Sequence, residues 1–149
     1  MISASTLVLL MTVPGLALFY AGMVRKKNIL ATMAQSFVIC ALVTVLWVLV
    51  GYSWAFMPGS PFLGDFSSIL LSTVQYDKIA STVSVHHLAT TIPESVFVLF
   101  QLSFAIITPA LITGAFAERM RFSALLLFMA AWSLLVYAPV AHWVWEPSG

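Results

Sequence analysis

Hydrophobic positions in this chain gather into four long blocks, 3–24, 29–56, 93–117 and 122–144, and nearly all the charged residues lie outside them. A bilayer-crossing α-helix needs about 20 mostly apolar residues, and each block is long enough. The second is long enough to tilt or to rise above the bilayer surface. Two of the gaps are tight turns. The gap at 57–92 is a polar connection with MPGSP, Asp65, Asp77, Lys78 and two histidines, and its SSILLS segment predicts a short surface helix. The pattern predicts an all-α integral membrane protein with four transmembrane helices.

Composition agrees. The 149 residues are 62% hydrophobic and 7% charged, with a mean hydropathy of +1.06. Soluble domains carry about 25% charged residues, and one soluble core could not hide this much apolar surface. The net charge of +1 points to no partner, and the lack of a basic tract argues against nucleic acid. Cys40 is the single cysteine and lies inside an apolar block, so no intrachain disulfide is expected. The start, MISASTLVLL, has no Lys or Arg before its apolar run and reads as a retained helix rather than a cleaved signal.

The position of the charges predicts orientation. Arg25, Lys26, Lys27, Arg119 and Arg121 occupy the short turns, and Lys78 alone lies in the long connection. The positive-inside rule then puts the turns at 25–28 and 118–121 in the cytoplasm, with both chain ends and the connection outside. Trp54, Trp143 and Trp145 fall at the outer interface, where indoles commonly sit. Glu118 beside Arg119 predicts a local ion pair. Pro14, Pro109 and Pro139 lie in or near spans, where neighbouring helices can satisfy the freed carbonyls. Ala17 with Ala21, and Ala110 with Gly114, recur at the four-residue spacing that permits close helix approach. This predicts more neighbours than four spans supply.

Candidate chemistry is sparse. Phe97, Phe100, Phe104, Ile107 and Leu111 form one stripe on the third helix. Packing or lipid contact is the plainer reading, and an aromatic-walled passage is the sharper one. Trp145 is either an interfacial anchor or a π face for a cation. Trp143 points roughly 200° away and suits the anchor role better. His86 and His87, being adjacent, diverge on a helix or strand, and with His142 they read as hydrogen-bonded or solvated imidazoles. Glu94 opens the third helix, where a carboxylate favours the helix dipole, and Gln101 follows on the same face. No acid lies deep in a span, which argues against a carboxylate-based proton or sodium pathway. H-x-x-x-H, cysteine clusters, a bis-histidine haem arrangement, G-x-S-x-G and P-loop signatures are all absent from the sequence. Neither a metal, nor a cofactor, nor an enzyme activity is expected.

Three segments together resemble a known family. PGLALFYAGMVRKKN at 14–28, FQLSFAIITPALITGAFAERMRFSA at 100–124 and APVAHWVW at 138–145 are similar to the ammonium transporter family, which includes methylammonium permeases and Rhesus-type proteins. WVLVGYSWAF at 47–56 extends the resemblance, which looks closer to the bacterial or archaeal branch than to the Rhesus branch. It implies an eleven-helix fold whose first ten helices form two inverted halves. Residues 1–149 would be the N-terminal part of that single domain, supplying helices one to four and stopping before the family's DFAGG segment. It further implies homotrimers with one pore per subunit in a cell membrane, and a cytoplasmic PII-type regulator. Phe100 would wall an outer recruitment site, Phe104 would be the outer of two gate phenylalanines, and Trp145 would be the vestibule tryptophan facing the cation. Leu102 stands where many members have glycine. The family's pore histidines would lie beyond this segment and match none of the three here. The implied activity is recruitment of ammonium, with methylammonium as analogue, and conduction of ammonia through an apolar pore. Two alternatives stay open: an ammonium-sensing regulatory membrane domain on the same scaffold, and a haem-binding redox subunit.

Overall fold

Four membrane-length helices form where the apolar blocks lie: α1 (Ile2–Met23), α2 (Lys26–Phe56), α3 (Glu94–Phe116) and α4 (Phe122–Trp145). They are seen in a computed structural model that describes residues 1–78, 81–116 and 119–149. The expected Glu118–Arg119 pair, and position 117 at the end of the third block, lie outside the described residues. The chain is an all-α integral membrane protein with one addition. Strands β1 (Tyr76–Asp77) and β2 (Thr82–Val83) pair antiparallel within the long connection, Tyr76 opposite Val83.

The prolines act locally. Val13, ahead of Pro14, leaves the helical region at φ −127°, ψ 90°, because the proline ring crowds the residue before it. Pro109 sits in an uninterrupted α3. A wider turn at Ser133–Tyr137 precedes Pro139. Several hydroxyls inside the spans bond back to a carbonyl one turn earlier, as Thr12 does to Val8 (3.2 Å), Thr44 to Cys40 (2.8 Å) and Thr108 to Phe104 (2.7 Å), whereas Ser133 Oγ is buried without a partner. In hydrocarbon such a bond satisfies the side chain without help from water.

α3 is the centre of the packing. In its most apolar stretch 56% of residues are buried, against 17 to 28% in the other helices. It packs against α1, α2 and α4. The core joins Ile39, Val43, Trp47 and Phe56 of α2 to Val98, Ala105 and Ile106 of α3 and to Leu125 and Met129 of α4. The small residues find partners inside this chain, which corrects the expectation that they wait for further helices. Ala17, Ala21 and Ala110 are buried. Gly114 receives the ring of Tyr20, so close that an added Cβ would lie 2.5 Å from it. The Tyr20 hydroxyl donates to Leu111 O at 2.7 Å. Many of the side chains that do face outward along the spans are large and apolar, among them Leu30, Leu127 and Leu135 at 81, 74 and 71% exposed. Hydrocarbon is the solvent that suits such a surface.

The long connection folds down on the ends of α2 and α3. Ser53 Oγ donates to Asp65 O (2.8 Å) and accepts from Ser68 N (3.1 Å), and Gly64 N donates to Trp54 O (2.9 Å). SSILLS makes only a single 3₁₀ turn, Ile69–Leu71. Leu70 and Leu71 adopt φ of 56° and 57°, a left-handed conformation that ends any right-handed helix. His86 is buried, stacked on Phe97 at 4.6 Å. Its Nδ1 accepts from Leu88 N (3.2 Å), so its Nε2 carries the proton and donates to Phe56 O (3.0 Å).

Burial, and then the neighbouring His87, hold the His86 imidazolium below its ordinary value of 6.5, against the opposing pull of the Phe56 carbonyl, Glu94 and Glu146. The unfolded connection therefore takes up a proton that the folded one resists. The stability from this group is complete above about pH 6.5 and declines as pH falls below it. We expect the thermal midpoint of the purified protein to drop as pH falls below about 6.5. His86→Gln should start lower and flatten that drop, and an unchanged acid dependence in the variant would contradict the assignment.

Candidate functional site

The aromatic stripe of α3 divides among three surroundings. Phe97 belongs to the core: it is buried, edge-on to Phe56 at 5.3 Å and stacked beneath His86. The expectation that it walls a passage with Phe100 and Phe104 is corrected, because the connection fills the space in front of its ring. Ile107 is buried as well, whereas Leu111 is exposed. Phe100 and Phe104 stand in the open part, edge to face with centroids 5.0 Å apart.

α4 brings its own aromatics to the same place. Phe100, Gln101, Phe104 and Thr108 of α3 and Tyr137 and Trp145 of α4 line one cavity of about 440 Å³. The three residues marked in the sequence, Phe100, Phe104 and Trp145, thus come together. Trp145 is the last helical residue, since Glu146 turns to extended backbone at φ −89°, ψ 127°. Its ring stands at a rim, 59% exposed, and Phe104 is 38% exposed. None of the six lining residues is charged. The last carbonyls of α4 bring the negative end of a helix dipole to this rim. Ring faces, a carboxamide, two hydroxyls and a dipole suit a small cation held weakly.

A second opening of about 490 Å³ lies towards the short turns, with Phe19, Tyr20, Leu111, Gly114 and Arg119 in its wall. Thr108 of the first cavity and Leu111 of the second are three residues apart on α3, about 4.5 Å of rise. The two openings therefore flank the middle of one helix.

The histidines and Glu94 take no part in either wall. The imidazoles of His86 and His87 do not diverge but lie 4.2 Å apart, because this stretch is neither helix nor strand and adjacent side chains are not forced to opposite sides. His87 Nε2 pairs with Glu146 Oε2 at 2.8 Å, and His142 Nε2 donates to Ser60 O at 3.0 Å. Among the described residues no group of three His, Cys, Asp or Glu could hold a metal ion. Glu94 does more than favour a dipole. It is buried and accepts from Tyr52 OH (3.1 Å) and Thr73 Oγ1 (2.8 Å), tying α2, the connection and α3 together. Sequence reasoning missed Tyr137 and Thr108 as wall residues. The signal was present in part: Gln101, Phe104 and Thr108 are polar, aromatic and polar at i, i+3 and i+7 in an otherwise apolar helix.

The profile of the Ammonium Transporter Family matches residues 1–149. An ammonium transporter of Bacillus subtilis is 50% identical over 145 residues, covering 97% of this chain and 34% of that protein. One from Aquifex aeolicus is 48% identical, covering 97% of this chain and 33% of its own length. Among solved structures, Candida albicans Mep2 superposes with a TM-score of 0.81 at 34% identity, covering 99% of this chain and 30% of that one. The chain thus spans about a third of the length of the curated relatives it matches.

The division of the stripe has a measurable consequence. Phe97→Ala empties a buried site and should cost about 3–5 kcal/mol. Phe104→Ala removes a ring that already faces an opening and should cost clearly less. Thermal unfolding of the two purified variants separates them, and equal losses would mean that the stripe is not divided in this way.

Proposed function

Because the chain belongs to the ammonium transporter family, we propose that its 149 residues form the N-terminal part of a single transporter domain in a longer protein that moves ammonium across a bilayer. The observation that carries the reading is the meeting of Phe100, Phe104, Tyr137 and Trp145 around one uncharged, open cavity. Ammonium rests there on aromatic faces, at roughly 0.5–2 kcal/mol per contact. That recruits the ion but cannot carry it through an apolar passage, where desolvation costs many kcal/mol. At the Phe104 gate the cation passes its proton to a base outside residues 1–149, where the family resemblance puts the pore histidines, and neutral ammonia continues inward.

The second opening, reached past the middle of α3, supports a path that runs on beyond the gate. The basic turns support an orientation with 25–28 and 118–121 in the cytoplasm, so that the cavity beside Trp145 faces outside. Homotrimers in the cell membrane and a cytoplasmic PII-type regulator belong to the proposal through the family alone. The haem reading has no observation in its favour, since His86, His87 and His142 are engaged with Phe56, Glu146 and Ser60.

Orientation is checked by impermeant maleimide on intact cells, with single cysteines in a Cys40→Ser background. Ser60→Cys should react and Asn28→Cys should not, and the reverse pattern would invert the proposal.

Transport is checked by uptake of labelled methylammonium in the complete protein, normalised to folded protein in the membrane. Trp145→Leu keeps an apolar side chain but loses the π face. A loss of roughly 1–2 kcal/mol should weaken recruitment about 5- to 30-fold, most plainly at low concentration. Phe104→Ala should widen the constriction, admit water and lower discrimination against other ions even where flux survives. Phe100→Leu should fall between. If these residues only pack, normalised curves of all three variants will overlay wild type.

A further inference from the structure

Trp145 is presented by a helix end that the long connection holds on one side. Three residues around it are tied down. His142 donates to Ser60 O at 3.0 Å, Trp143 Nε1 donates to Phe62 O at 3.2 Å, and Glu146 Oε2 pairs with His87 Nε2 at 2.8 Å. At about 100° per residue, His142, Glu146 and Trp143 span an arc of roughly 100°, and Trp145 lies some 60° beyond it, on the side away from Trp143. The ties thus cover one side of the helix end and leave the indole clear over the cavity.

The His87–Glu146 tie differs from the other two. It joins side chain to side chain, so one substitution removes it without touching the backbone. It also acts where the helix stops. Glu146 N closes the last turn on His142 O (2.9 Å), and Glu146 O accepts from Gly149 N (3.0 Å). The Glu146 side chain is 4% exposed and that of His87 42%. Without His87, a carboxylate left buried and unpaired is driven towards water, and the turn that follows Trp145 moves with it. The charged and titratable groups around the pair are His86, whose ring lies 4.2 Å from that of His87, and Glu94, which acts on His86 together with Glu146.

We propose that His87 and Glu146 are positioning residues for Trp145, fixing the turn behind it and hence the pose of the indole over the cavity. The proposal rests on the reading of Trp145 as the residue that holds the cation. Neither member lines the cavity, so their effect passes through the tryptophan. Loss of the pair should raise the concentration needed for half-maximal transport and leave the maximal rate per folded protein unchanged.

The test is methylammonium uptake against concentration in the complete protein, normalised to folded protein, for His87→Ala, Glu146→Ala, the double variant, His87→Gln and Trp145→Leu. Gln at 87 keeps a donor near the position of Nε2. Each alanine variant should raise KM about 3- to 10-fold, less than outright loss of the ring face. The double variant should be no worse than the more severe single one, and His87→Gln should lie near wild type. Unchanged KM in both alanine variants beside a raised KM in Trp145→Leu would overturn the positioning role and leave the transport reading standing. Unchanged KM in Trp145→Leu would remove the transport reading and the positioning role together. Additive alanine effects, or a loss of folded protein with KM intact, would show that the pair serves the fold and not the tryptophan.

Discussion

Polar groups in hydrocarbon must be satisfied from within the protein, and this constraint shapes what surrounds the aromatic cavity. The spans meet it in part locally, with hydroxyls that bond one turn back, although Trp47 Nε1 and Ser133 Oγ stay buried without a partner. At the end where α2 stops and α3 starts, the connection meets it by folding inward. Ser53, the Phe56 carbonyl, Glu94 and His142 each receive a partner from residues 60–86. Among the side chains lining the cavity, rings outnumber hydrogen-bonding groups that could replace a shell of water. A cation can therefore be met there but not fully solvated, and that shortfall agrees with the proposed weak recruitment followed by passage of a neutral molecule.

The same constraint explains the different fates of residues on one stripe. Phe97 lies under the connection and holds His86 in place, so its aromatic ring serves the fold. One turn further along, the connection no longer covers α3, and Phe100 and Phe104 face the opening that Tyr137 and Trp145 complete. Glu94 shows how tightly the two regions are joined. It anchors Tyr52 and Thr73 at the start of the helix that carries the candidate site, although it does not itself line the cavity.

Much of this was legible in the sequence, for particular reasons. The four spans follow from hydropathy and length, and Phe100, Phe104 and Trp145, which meet at one cavity, are marked by the family resemblance that several long motifs carry, whereas spacing alone leaves packing as the plainer reading. What was not legible depends on contacts between separate elements or on irregular local backbone. The burial of Phe97 needs His86, the Gly114 contact needs Tyr20, and the near-stacking of His86 on His87 needs a connection that is neither helix nor strand. The SSILLS segment misled because helix propensity says nothing about two consecutive left-handed leucines.

The central claim is that the face of the Trp145 ring holds the cation. Site-specific replacement of Trp145 by tryptophans carrying one, two and three ring fluorines weakens the π face stepwise while nearly preserving the shape of the side chain. The half-saturating concentration for methylammonium uptake should rise in step with the number of fluorines. A series that stays flat, with folded protein unchanged, would contradict the claim directly.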